Sequence, residues 1–132
     1  MSDQPALDDV TITAPEQIEA YAGPHAIPGV RFRPARQALG VSAWGMNIIE
    51  LDPHTEGYPE HDHASDDHEE VYVILSGSAV LQVHGQEREL GQGQLVRVGP
   101  AVKRKFITRG EGVILLALGG TPGKPYEASM GG

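Results

Sequence analysis

A single all-β domain is the fold class this sequence predicts, and three observations predict it. The 132 residues include 17 glycines and 10 prolines, about a fifth of the chain, which argues against a helical bundle and suits short strands joined by turns. Branched aliphatic runs recur between Gly77, Gly85, Gly91, Gly93, Gly99, Gly110 and Gly112, a spacing close to that of strand plus turn. No helical period of adequate length separates the runs, so a parallel sheet has no crossover helices to build it. The length allows one core and is too short for two.

Residues 1–30 are expected to form an N-terminal arm. Thr13-Ala14-Pro15-Glu16 reads as a capping box with proline in the first turn, predicting a short helix to about Tyr21 that Pro24, Pro28 and Gly29 end. The arm is expected to strap the outside of a sheet. Strands are expected at Arg31 to Arg33 and at Val41 to Leu51, the second carrying Trp44, Met46, Ile48, Ile49 and Leu51. Val71 to Leu75 follows, then a hairpin of Ala79 to Val83 and Gln86 to Leu90 across His84-Gly85. Gln94 to Val98, Lys105 to Thr108 and Val113 to Leu118 complete a barrel domain assigned to residues 31–120, and 121–132 read as a C-terminal tail.

Net charge is −8, which speaks against a nucleic-acid or anionic-membrane partner. The acids are concentrated between Glu50 and Glu70, whereas Lys103, Arg104 and Lys105 form the main basic cluster. No cysteine is present, so neither disulfides nor thiolate chemistry are expected. The N-terminus lacks a signal-peptide progression and no apolar run approaches the ~20 residues of a membrane span, so a cytoplasmic protein is the expectation.

Chemistry gathers at His61-Asp62-His63 and Glu70. Histidines two residues apart share one face of an extended strand. If Glu70 returns to that face, two imidazoles and a carboxylate converge, a donor set that divalent transition metals favour. The spacer also holds Asp66, Asp67 and His68. Either one of these, His68 first, substitutes as a ligand, or the segment is simply a bulged acidic loop. His25, His54 and His84 have no partner at ligand spacing and receive no role.

These residues resemble the cupin family, small β-barrels with a metal at the centre. Its first motif (His-x-His, a spacer, Glu, six residues, Gly) is matched by His61, His63, Glu70 and Gly77, with a His63–Glu70 spacer longer than usual. Fifteen residues then separate Gly77 from Gly93, which opens the second motif. That motif departs from the family afterwards: Gly99 and Ala101 stand at its Pro-x-Gly, Arg104 at its histidine and Thr108 at its asparagine. The resemblance covers roughly residues 40 to 120. It implies a double-stranded β-helix, or jelly roll, and a divalent ion (Fe, Mn, Ni, Zn or Cu) on His61, His63 and Glu70.

With Glu70 pointing inward, Tyr72 and Ile74 share its side, while Val71, Val73 and Leu75 point outward and need cover. The arm or a second subunit would supply it, and the resemblance implies a homodimer. Tyr72 is then the nearest acid/base or hydrogen-bonding group. Arginine cannot donate to a metal. Arg104 therefore forks onto Glu70 and leaves a metal-free cavity, or binds an anionic small molecule beside the metal, or turns to the surface with Lys103 and Lys105. The leading expectation is a metal-dependent cupin acting on a small organic molecule, oxygenase-like or isomerase/lyase-like. The alternatives are a non-catalytic small-molecule-binding module and, more weakly, a structural or storage domain.

Overall fold

One long bent strand joins two antiparallel sheets. The computed structural model describes residues 7–128, so residues 1–6 of the arm and 129–132 of the tail lie outside the described residues. Among the described residues the strands are β1 (Val30–Arg33), β2 (Gly45–Leu51), β3 (Glu69–Val83), β4 (Gln86–Gly91), β5 (Leu95–Val98), β6 (Arg104–Ile107) and β7 (Val113–Gly120). The first sheet runs β1-β2-β7-β3-β5 and the second β4-β3-β6. All pairings are antiparallel, and together the sheets form a jelly-roll barrel.

The two runs expected on either side of Gly77 are therefore one strand. A register shift between Ile74 and Ser76 bulges β3 against β7, and Gly77 follows with φ +76°. A Cβ at Gly77 would collide with the carbonyl oxygen of Gly112. Glycine is required here for both its left-handed backbone and its missing side chain. The bend lets residues 69–77 pair in one sheet and 78–83 in the other.

Pleat alternation sorts β3 as expected. Tyr72 and Ile74 are buried, whereas Leu75 is 38% exposed. Inside the barrel they pack with Leu51, Leu81, Phe106 and Leu115. Full burial of each such side chain contributes roughly 1.5–3 kcal/mol against exposure. On the outer face Ile18 from the arm and Ala35 pack on Ile48, so the arm straps the first sheet. Arg33 Nη1 donates to the Ile18 carbonyl at 2.6 Å and fixes that strap.

Two local expectations are corrected. Thr13 caps no helix: the arm holds a single 3-10 turn at Pro15–Gln17, with Ala14 at its N-cap. A segment this short has too few internal hydrogen bonds to draw the capping box into place. The strand expected from Val41 begins only at Gly45, and a short helix α1 (Ala35–Leu39) precedes it. Gly40, at φ +77°, ends α1, and its N–H bonds to the Arg36 and Gln37 carbonyls.

Candidate metal centre

His61 and His63 lie outside regular strands, yet the backbone holds them as a ladder would. His61 forms an isolated bridge with Arg104: its N–H donates to the Arg104 carbonyl and its carbonyl accepts from the Arg104 N–H. The His63 N–H donates to the Pro100 carbonyl at 2.7 Å. Two residues apart on this pseudo-strand, both imidazoles approach Glu70 on β3.

The three side chains converge. His63 Nε2 lies 3.2 Å and His61 Nε2 3.7 Å from Glu70 Oε1. One donor atom from each of the three residues falls within 4.8 Å of the others. Such separations are compatible with donors sharing one ion at ~2.0–2.2 Å. Gly119 lies opposite Glu70 in the β3–β7 register, where a Cβ would press on the Glu70 side chain.

Each imidazole is also held from behind. His61 Nδ1 lies 3.2 Å from the Pro59 carbonyl oxygen, which can only accept, so Nδ1 carries a proton and Nε2 is the nitrogen turned to Glu70. His63 Nδ1 lies 3.1 Å from both carboxylate oxygens of Asp66. An acceptor behind each ring is the arrangement that orients imidazoles toward a metal. The donor set therefore fits a divalent transition ion. Asp66, weighed as a substitute ligand, supports His63 instead.

His68 is not in the triad. It is buried and stacks between His63 (5.4 Å between centroids) and Tyr126 of the tail (5.3 Å). Thr121 Oγ1 donates to the Asp66 carbonyl at 2.9 Å, so the tail folds back onto the acidic loop. His63, Asp66 and His68 also lie close enough to form a second possible group of donors, but it shares His63 with the first.

Tyr72 donates its hydroxyl to Glu70 Oε1 at 2.5 Å. Burial, reinforced by the charges of Tyr58 and Glu70, pushes the Tyr72 hydroxyl far above the usual phenol range, so it is a fixed donor. Burial pushes Glu70 up, but hydrogen bonds from His61, His63 and Tyr72 outweigh it and hold the carboxyl well below the usual range. The Glu70 hydrogen bond raises His63 against the opposing effect of burial. Tyr58, which the sequence did not single out, packs edge-on against His61 and Phe106. No motif or spacing marked it.

Arg104 is the main surprise. The reading that turned it to the surface is overturned: it is 0% exposed. The β6 register, with Arg104 opposite Val83, aims the guanidinium inward. Nη2 donates to the Gly99 carbonyl at 2.9 Å, and Nη1 lies 3.5 Å from Glu70 Oε1. Among the described residues Nε and Nη1 have no hydrogen-bond partner. Thr108 turns away from the triad, donating to the Asp52 carbonyl and accepting from the Thr55 N–H.

Comparison with known proteins agrees with this geometry. The family described as "Cupin domain" matches residues 47–118, more than half of the chain. A cupin protein from Bacteroides fragilis is 21% identical over 85% of this chain and 92% of its own, with a TM-score of 0.62. A sugar phosphate isomerase of the cupin superfamily from Silicibacter pomeroyi is 20% identical over 79% and 71%, with a TM-score of 0.68. A polyketide cyclase from Streptomyces resistomycificus is 16% identical over 92% and 88%, with a TM-score of 0.69. At these identities the likeness is one of fold. Comparison with curated proteins returns no match.

Proposed function

The chain belongs to the cupin domain family, and from that premise we propose a metal-binding cupin that acts on a small organic molecule. His61, His63 and Glu70 would hold the ion, which could be divalent iron, manganese, nickel, zinc or copper. The observation that carries this reading is the convergence of His61 Nε2, His63 Nε2 and Glu70 Oε1 with an acceptor behind each imidazole. When bound, such an ion supplies Lewis-acid character at an open coordination position.

The surrounding residues have roles of their own. Tyr72 keeps its proton and orients Glu70, and it is the nearest hydroxyl to a reacting group. Arg104 supplies an orienting cation. Tyr58 and Phe106 wall one side of the site. The chemistry we propose is isomerase/lyase-like or oxygenase-like, both within the range one barrel fold can host. The half-exposed outer face carrying Leu75 and Leu95 supports pairing of two copies.

A second reading is favoured by one contact. The Arg104 guanidinium beside Glu70 could neutralise the carboxylate in a metal-free, non-catalytic binding module. Metal analysis of protein purified without added metal separates the two. Near-stoichiometric metal, lost in the His61→Ala/His63→Ala variant with its circular dichroism unchanged, is the expected result. Metal-free protein that takes up no divalent ion on dialysis would overturn the metal reading in favour of the binding module.

A further inference from the structure

We propose that Arg104 makes metal binding at this site depend on a small carboxylate, which bridges the ion and the guanidinium; this rests on the metal reading above. Three protein donors leave a divalent ion short of a complete coordination shell. Beside them the Tyr72 hydroxyl already donates to Glu70, and Arg104 offers only N–H groups. A ligand that completes the shell must therefore come from solution and must satisfy a cation next to it.

Charge points the same way. The ion carries two positive charges and Arg104 one, while Glu70 returns a single negative charge. Asp66 lies behind His63 and leaves the total positive. In a site this buried the ion and guanidinium repel, so either alone is disfavoured by the other. One anion placed between them cancels a charge, donates to the ion and gives Nη1 the hydrogen-bond partner it lacks.

The walls beside the guanidinium are aromatic. Tyr72 and Phe106 are in edge-to-face contact at 4.7 Å, and Tyr58 closes on Phe106 at 6.0 Å. A carboxylate is the anion proposed because its two coplanar oxygens can serve the ion and a guanidinium N–H at once. The open side is at His61, whose side chain is 30% exposed, so the remainder of a carboxylic acid would extend that way.

Zinc titration calorimetry in chloride-free buffer tests this, with sodium acetate compared against sodium nitrate at equal ionic strength. Acetate should tighten zinc binding by about fivefold or more, the lower end of typical coupling between two sites, and zinc should tighten acetate by the same factor. Acetate's own weak hold on zinc works against the effect and cannot imitate it. Arg104→Met should abolish the coupling. Should that variant fail to fold, the Arg104 Nε–H resonance of the zinc-loaded wild-type protein should shift on adding acetate. Zinc binding indifferent to acetate, or an unmoved resonance, overturns the carboxylate proposal alone. No zinc binding in either buffer overturns the metal reading and this proposal with it.

Discussion

Asp66 grips His63 from the side away from Glu70, with His63 Nδ1 3.1 Å from each of its carboxylate oxygens. Burial pushes the Asp66 carboxyl up, but hydrogen bonds from His63 and the His68 N–H hold it below the usual range. It is thus a charged acceptor that fixes the ring's tautomer and direction. Replacing Asp66 with Asn should weaken zinc binding by about 10–100-fold. Competition with a chelating dye would measure it, and unaltered affinity would show that the ring is oriented by other means.

Tyr72→Phe keeps the ring in the barrel and deletes the hydroxyl that Glu70 Oε1 accepts. A hydrogen bond to a charged group contributes about 1.5–3 kcal/mol, so urea unfolding of the metal-free protein should show a loss of that size. A loss well below it would mean that water or Arg104 takes over the carboxylate.

Gly77 and Gly85 both adopt positive φ, +76° and +68°, but their surroundings differ. At Gly85 a Cβ would meet nothing within 4 Å, so Gly85→Ala should cost only the left-handed backbone penalty, about 1–2 kcal/mol. Gly77→Ala adds a collision with the Gly112 backbone and should cost about 3 kcal/mol or more. Equal thermal shifts for the two variants would contradict the bend described for β3.

At the surface, the Arg31 hydrogen bond and charge hold the Asp52 carboxyl below its usual range. Hydrogen bonds from Arg109 and Gln82 do the same for Glu87. Depressed folded-state values mean that these pairs stabilise the fold above the ordinary carboxylate range, and that this is lost as pH falls through the folded-state values. An Arg31→Gln/Arg109→Gln variant should therefore be slightly less stable than its parent at neutral pH. The gap should close toward about pH 2 and shrink in molar salt, since these groups are exposed. A gap that widens on acidification would mean that the arginines act through packing.

Strands were legible wherever a local period or a backbone exception marked them. Alternation placed Tyr72 and Ile74 inside and Leu75 outside before any partner strand was known, and the glycines located most turns. Gly77 was legible as punctuation but not as a bend within one strand, because a positive φ can end a strand or redirect it. Only the continued pairing of Ser78 with Gly91 decides which. Helix α1, at Ala35–Leu39, was too short to show a period.

The motif residues His61, His63 and Glu70 were enough to nominate a donor set, because two of them are neighbours on an extended chain and the third sits in a recognisable strand. Their convergence, the role of Asp66 and the burial of Arg104 were settled by folding. Those outcomes depend on the loop's path from His63 to Glu70 and on the β6 register against Val83, both fixed by contacts between distant segments. Side-chain identity and local period travel with the chain; which side chains meet, and which cation is enclosed beside which carboxylate, depends on the pairing of strands far apart in sequence.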